Sequence, residues 1–345
     1  THPRAAEIAE RLVKVLPNSM AKVFFSDNGS TAVEVAIKMV YQFWHNKGIS
    51  KKRFLAIEGA YHGDTFGAMS VGQRGYFNKP FEHLFFDVDY LPFPTKENSA
   101  EVLQMAKELF STGEFAGFIF EPLVQGAAGM RIYEAEWLDE LVQLAKKYEV
   151  MTIADEVMTG FYRTGKLFAI EHINASVDFV CMSKGLTGGV MAMGVTATTQ
   201  DVFDAFLSDD IGKALLHGHS FTANPLACTA ACASLDLLEQ QATQSRITSI
   251  VNQHEAFVNR VKGKPYYKSA KNQGTILSLE IEVGGESSYF SSIRTDAYEF
   301  FLENEILLRP LGNVIFFNPP YCISDVELQY VYDKIEEFLE EWFKK

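Results

Sequence analysis

The chain has 345 residues, 47% hydrophobic and 22% charged, with a formal net charge of −13 from 44 acidic and 31 basic side chains. That composition supplies a packed core for two ordinary domains or one large one, and it excludes disorder as a serious reading. An acidic surface with scattered basic residues repels phosphate backbones, so nucleic acid is not an expected partner.

No apolar run approaches the roughly 20 residues that a membrane span needs, and nothing at the start reads as a signal peptide. No membrane partner is expected. The four cysteines, Cys181, Cys228, Cys232 and Cys322, follow no disulfide pattern. Cys228 and Cys232 would share one helix face, but no second Cys/His pair completes a metal site, so two buried thiols and no metal are expected. This usage suits a reducing compartment, and the expected setting is the cytoplasm. The single basic run, Lys51-Lys52-Arg53, reads as a solvated turn before a strand.

In chain order, apolar β-rich runs alternate with helical stretches from about residue 20 to residue 240. Lys22–Ser26 reads as a strand and Thr31–Trp44 as an amphipathic helix. Arg53–Glu58, Gly117–Glu121, Val150–Asp155 and Val177–Met182 are further strands, with a helix over Trp137–Tyr148. Short, nearly continuous apolar strands separated by helices indicate a mostly parallel sheet covered on both faces. Ala192–Thr198 is a possible additional strand whose direction is left open. Pro225 opens a helix that runs to about Gln240. Beyond it, Gly274–Glu282 alternates as a half-buried strand, Asn313–Pro320 is a second strand ended by prolines, and Ser324–Lys345 is a capped amphipathic helix. The fold class is therefore α/β, with a mostly parallel central sheet, flanking helices and a smaller α+β C-terminal domain. The expected division is an N-terminal segment 1–19, a large domain 20–243 and a small domain 244–345.

Ligands of open α/β sheets sit at the C-terminal ends of the strands. Three such ends carry chemistry. Ser26-Asp27-Asn28-Gly29-Ser30-Thr31 lies between a strand and a helix, where glycine permits close approach and the helix start offers free N–H groups to a phosphate. Taken alone, the segment reads more simply as a plain strand-to-helix turn with a Ser or Thr cap; it is neither a Walker loop nor a Gly-x-Gly-x-x-Gly loop. Asp155 closes an apolar strand, where a carboxylate needs a partner: a pyridinium nitrogen, a metal ion or neighbouring N–H groups. Lys184, in Ser183-Lys184-Gly185-Leu186-Thr187-Gly188-Gly189, lies just beyond a buried strand; it is either an imine-forming amine of lowered pKa or a surface lysine in a flexible loop. Together, a phosphate turn, a ring-nitrogen carboxylate and an amine form the set that a pyridoxal phosphate site needs.

The sequence resembles the class III (ω-) aminotransferases of fold type I over its whole length. The resemblance is carried by 25–36, 61–71, Glu121-Pro-Leu-Val-Gln-Gly-Ala-Ala-Gly-Met130, Asp155-Glu-Val-Met-Thr-Gly-Phe-Tyr-Arg-Thr-Gly165, Ser183–Gly189 and Arg309-Pro-Leu-Gly312. It implies pyridoxal 5'-phosphate as cofactor, with Lys184, Asp155 and Tyr61 as catalytic residues. Gly29, Ser30, Tyr61, Glu121, Asp155, Lys184 and Ser220 would bind the cofactor, Ser220 reaching the phosphate of a partner subunit. Tyr61, Asp64, Gly218 and Arg309 would bind substrate, Arg309 taking a carboxylate in a two-bond fork. Arg163 would be structural, and His219 stands where family members often carry Pro.

The segment Tyr61-His-Gly-Asp-Thr-Phe-Gly-Ala-Met-Ser70 points within the family to the branch acting in biotin biosynthesis. That branch implies transfer of an amino group to 8-amino-7-oxononanoate, giving 7,8-diaminononanoate, with S-adenosylmethionine as donor. Lysine as donor, another ω-aminotransferase activity (ornithine or β-alanine) and a non-catalytic cofactor-binding protein are the alternatives. The resemblance also implies a homodimer with sites at the subunit interface and small-molecule substrates. It implies a further stretch of chain before Thr1 that carries a tryptophan pair and a tyrosine of the substrate pocket.

Overall fold

The computed structural model describes residues 1–17, 19–284 and 291–344; Asn18 and Lys345, within the expected N-terminal segment and last helix, lie outside them. The elements run α1 (Pro3–Val15), β1 (Met20–Ser26), α2 (Gly29–Asn46), β2 (Arg53–Ile57), α3 (Phe66–Val71), β3 (Val88–Leu91), α4 (Ser99–Ser111), β4 (Phe115–Phe120), β5 (Val124–Gln125) and β6 (Arg131–Ile132). They continue with α5 (Ala135–Lys147), β7 (Met151–Asp155), β8 (Phe179–Met182), β9 (Gly194–Thr199), α6 (Gln200–Asp204), α7 (Pro225–Leu238), α8 (Gln241–Val261), β10 (Tyr267–Gln273), β11 (Ile276–Ile281), α9 (Ile293–Glu303), β12 (Val314–Phe317) and α10 (Asp325–Trp342).

The chain divides into two compact units. The first comprises Thr1–Leu123, Tyr133–Phe161 and Phe168–Leu237; the second comprises Val124–Ile132, Tyr162–Leu167 and Leu238–Lys345. Where the sequence suggested a division after residue 243, the chain divides after Leu237, and two excursions near residues 124–132 and 162–167 pack with the later unit. Segment 1–19 is carried within the first unit: Ile8 and Leu12 of α1 are fully buried, and Arg11 pairs with Asp236 at 2.7 Å.

The first unit is built on a seven-stranded sheet of order β1-β9-β8-β7-β4-β2-β3. β9 is antiparallel to both neighbours, and the other pairs are parallel, so six strands point one way. The direction left open for Ala192–Thr198 is thereby fixed. α2 is apolar along one flank because Val33, Ala36, Ile37 and Val40 recur at helical spacing, and it packs on Phe54, Ile119, Ile153 and Phe179 of the sheet. β4, β7 and β8 are buried at every position, the pattern of strands covered on both faces.

The second unit has a three-stranded antiparallel sheet, β10-β11-β12, packed under α8, α9 and α10 around Leu277, Leu279, Phe301 and Phe338. The Ser324 hydroxyl and Glu327 carboxylate close the N-terminus of α10 as a capping box. Cys228 and Cys232 are buried thiols on α7. No helix among the described residues is long and apolar enough to cross a membrane.

Candidate active site

Five segments that follow parallel strands of the first unit carry the polar residues singled out in its sequence: Gly29-Ser30 after β1, Tyr61 after β2, Glu121 after β4, Asp155 at the end of β7 and Lys184 after β8. All six parallel strands point the same way, so these residues gather along one edge of the sheet, where open α/β sheets hold their ligands.

The β1–α2 turn is closed by Asn28, not by Ser or Thr. Its Oδ1 accepts from the Thr31 N–H at 3.0 Å, and its own N–H donates to Thr31 Oγ1 at 3.0 Å. The Gly29 and Ser30 N–H groups at the start of this 18-residue helix have no acceptor among the described residues. A Cβ on Gly29 would lie 2.8 Å from Val157 Cγ1, so the turn sits tight against the β7 loop and leaves its N–H groups uncovered.

Asp155 is 4% exposed, and among the described residues the side chain that meets its carboxylate is the ring of His62. Its Oδ2 lies 2.7 Å from His62 Nδ1, and its Oδ1 accepts from the Val157 N–H at 3.1 Å. His62 Nε2 is buried with no hydrogen-bond partner among the described residues, a polar atom that calls for one. Of the three sequence readings of Asp155, N–H capping accounts for one oxygen only. No group of three or more His, Cys, Asp or Glu side chains able to hold a metal exists among the described residues.

Lys184 follows β8 with φ +37°, a strained value for a side chain bearing Cβ and a conformation that the surrounding loop has to enforce. The Ser183 hydroxyl, donating to the Met193 carbonyl at 2.6 Å, anchors the residue before it. Asp155 pairs with Cys181 across β7–β8, which puts Lys184 three residues beyond the carboxylate's direct neighbour. Its amine is exposed and has no partner among the described residues.

Tyr61 is held at both ends. Its N–H donates to Glu121 Oε1 at 3.0 Å and its hydroxyl to Asp64 Oδ2 at 2.9 Å. Burial and then the Asp64 carboxylate push the phenol up to about 12. The ring is 44% exposed, a flat face left open. Ser30 Oγ accepts from the Asp64 N–H at 3.3 Å. Glu34 Oε1 accepts from Thr65 Oγ1, Gly67 N and Ala68 N at 2.5, 2.6 and 3.1 Å, so the first two turns of α2 grip the Tyr61 loop.

Gly218 and Ser220 lie exposed in the 217–223 segment of the first unit. Arg309 belongs to the second unit, is exposed, and lines a cavity of about 280 Å³ with Arg294, Thr295, Tyr298 and Pro310. Arg163 donates to Asn318 Oδ1 and the Pro319 carbonyl and stacks on Tyr321, an anchored structural arginine. Sequence reasoning missed His62 and Glu34. The signal for His62 was the demand for a partner that a buried Asp155 makes, but nothing local says which residue meets it.

Comparison with known proteins agrees with this geometry. The family described as Aminotransferase class-III matches residues 1–339. The adenosylmethionine-8-amino-7-oxononanoate aminotransferase of Synechococcus elongatus is 41% identical, over 99% of this chain and 82% of its own length. The protein of the same name from Staphylococcus aureus is 34% identical over 94% of this chain and 75% of its own. Among solved structures, the adenosylmethionine-8-amino-7-oxononanoate aminotransferase of Methanocaldococcus jannaschii superposes with a TM-score of 0.92 at 32% identity, covering 99% of this chain and 80% of that one. An amine transaminase from an uncultivated Pseudomonas species, in its PLP-bound form, gives 0.92 at 26% identity, over 99% of this chain and 82% of that one. The chain belongs to the class III aminotransferases.

Proposed function

We propose that the protein is a pyridoxal-phosphate-dependent aminotransferase of biotin biosynthesis that converts 8-amino-7-oxononanoate into 7,8-diaminononanoate with S-adenosylmethionine as amino donor. The observation that carries the cofactor is the gathering of Gly29-Ser30, Asp155 and Lys184 at the ends of parallel strands, with the orphaned buried His62 Nε2 beside them. The reaction is supported by the names of relatives up to 41% identical over almost the whole chain.

The residues present fit the group. The uncovered N–H groups of Gly29 and Ser30 would hold its phosphate, the Tyr61 ring would stack on the pyridine, and Asp155 would hold the ring-nitrogen proton. Lys184 Nζ would carry the covalent link at rest. When bound, pyridoxal phosphate supplies a protonated ring that withdraws electrons and a carbon that exchanges amines.

His62 keeps the Asp155 carboxylate oriented by donating to Oδ2. Glu121 holds the backbone of Tyr61, and Asp64 holds the hydroxyl end of its ring. Lys184 Nζ would be the base that takes a proton from the donor's Cα and returns one in the second half-reaction. With its phenol at about 12, Tyr61 stays protonated at neutral pH and serves as a hydrogen-bond donor, not as a base. Asp64 would sit near the amine end of the substrate and Gly218 beside it, and Arg309 would hold the acceptor's carboxylate.

A homodimer and a cytoplasmic setting belong to the same proposal. Ser220 would serve the partner subunit's phosphate. Exposed Phe66, Tyr76 and Phe77, 52%, 74% and 70% accessible, provide apolar surface for such a contact. The four free cysteines suit a reducing compartment.

Lys184→Ala should lower turnover by at least about a thousandfold. It should also abolish the cofactor mass that borohydride fixes to the wild-type chain in a mass spectrum. Retention of that mass by the variant would sink the assignment of Lys184. With the wild-type enzyme, S-adenosylmethionine should support formation of 7,8-diaminononanoate. Failure with it and success with ornithine or β-alanine would replace the reaction while leaving the cofactor in place.

A further inference from the structure

Two segments of the first unit that lie far apart in sequence meet beside Ser220. His2 caps α1: its Nδ1 accepts from the Ala5 N–H at 3.3 Å. Its other ring nitrogen, Nε2, lies 2.7 Å from the carbonyl oxygen of Ala223, 221 residues away. A carbonyl only accepts and a backbone N–H only donates, so the two contacts fix one tautomer, with the hydrogen on Nε2. The ring therefore joins the start of α1 to the approach to α7.

α1 is a firm base for that contact. Arg11 on the same helix donates to the Cys232 carbonyl at 3.1 Å and to Asp236 Oδ1 at 2.7 Å. His2 meets Ala223 and Arg11 meets Cys232, the same spacing on both sides, so α1 runs parallel to α7 with their first turns together. Ile8 and Leu12, fully buried, pack α1 in place.

The turn that leads into α7 is closed on itself. The His219 N–H donates to Thr222 Oγ1 at 3.2 Å, and the Thr222 and Asn224 N–H groups donate to the His219 and Phe221 carbonyls at 3.3 and 3.1 Å. Asn224 Oδ1 accepts from the Ala227 N–H at 2.9 Å and so caps α7. Ala223 has φ +50°, a left-handed value that a residue bearing Cβ holds only under constraint. The Asn224 cap supplies that constraint on one side and His2 supplies it on the carbonyl. Ser220 sits inside the turn, exposed, with no partner for its hydroxyl among the described residues.

We propose that His2 is a positioning residue: by pinning the Ala223 carbonyl it holds the 219–224 turn, and with it Ser220, in place for the cofactor's phosphate. This rests on the reading of Ser220 as the contact to the partner subunit's phosphate. Ser220 supplies the contact. His2 touches neither cofactor nor substrate and acts through the backbone of the turn.

Two variants separate this role from helix capping. His2→Asn keeps an acceptor to cap α1 but ends well short of the Ala223 carbonyl. His2→Gln keeps a donor with about the reach of Nε2 and loses the capping ring. In the protein loaded with pyridoxal phosphate, amide hydrogen exchange across 219–224 should quicken about fivefold in His2→Asn, the loss of one ordinary hydrogen bond, and stay near wild type in His2→Gln. Titration of apoprotein should show pyridoxal phosphate bound about fivefold more weakly by His2→Asn, with pyridoxal, which lacks the phosphate, changed less than about twofold. Unchanged exchange in His2→Asn, losses in His2→Gln but not in His2→Asn, or equal losses for both ligands would overturn the inference. Faster exchange in His2→Asn, with pyridoxal phosphate affinity unaltered both there and in Ser220→Ala, would leave the tether standing and overturn the reading of Ser220 instead.

Discussion

At the scale of single residues, two neighbouring carboxylates have opposite surroundings. Asp155 has His62 against one oxygen and a backbone N–H against the other. Glu156 is fully buried with no cation beside it, and burial pushes it up to about 7, although Thr159 Oγ1 and the Ile170 and Ala169 N–H groups donate to it and pull the other way. A raised carboxyl pKa means that the folded chain binds this proton more tightly than the unfolded chain does. Its contribution to stability is fully present below the unfolded value of about 4.5, declines as pH rises through 7, and levels off above it. The interval bounds the effect at roughly 3 kcal/mol. Glu156→Gln, neutral at every pH, should flatten the fall of melting temperature between about pH 4.5 and 7. An unchanged slope in a thermal melt series would show that the donors outweigh burial and that Glu156 is ionised throughout. Asp155 was legible in the sequence because it closes an apolar strand. Its partner was not, because His62 follows β2, two strands away in the sheet, and no local pattern encodes that pairing.

At the scale of elements, what the sequence showed and what it hid divide along periodicity. Strands β4, β7 and β8 are apolar runs and α2 carries a helical stripe, so their positions and the strand-end residues Gly29, Asp155 and Lys184 could be read directly. β10 is Tyr-Lys-Ser-Ala-Lys-Asn-Gln, mostly polar and without a fully buried position, and it exists because β11 supplies its ladder. α1 and the loop after β2 were hidden for a related reason: their conformations depend on partners distant in sequence. Gly63 shows how tightly that loop is held. Its φ is +122°, and a Cβ there would lie 2.0 Å from Ser30 Oγ and 2.9 Å from Ser30 Cα, a backbone atom that cannot swing aside. Gly63→Ala therefore combines backbone strain with a collision at the proposed phosphate turn, and should cost about 2–4 kcal/mol of unfolding free energy. The expected readout is a lower denaturation midpoint together with weaker pyridoxal phosphate binding. A variant as stable as the wild type would mean that the Tyr61 loop moves freely relative to α2.

At the scale of the whole molecule, the proposed dimer makes a claim that no single-chain variant can test. If Ser220 serves the phosphate site of the partner subunit, Lys184 and Ser220 of one chain belong to different sites. Lys184→Ala removes the amine from a chain's own site. Ser220→Asp, which sets a carboxylate against a phosphate, disables the partner's site. Each homodimer should be close to inactive. A mixed dimer differs: the site built around an intact Lys184 on the Ser220→Asp chain receives its hydroxyl from the Lys184→Ala chain, whose Ser220 is unaltered, while the other site carries both lesions. Random pairing of equal amounts makes half of the dimers mixed, with one of their two sites intact, so the mixture should recover about a quarter of wild-type activity. Co-expression of the two variants with different affinity tags, followed by isolation of doubly tagged dimers, should raise that figure to about half. Recovery distinguishes a shared site from a merely dimeric protein, because a dimer whose sites are each complete within one chain gains nothing from mixing. A doubly tagged dimer with no more activity than its parents would confine Ser220 to its own subunit and remove the reason for an interfacial site.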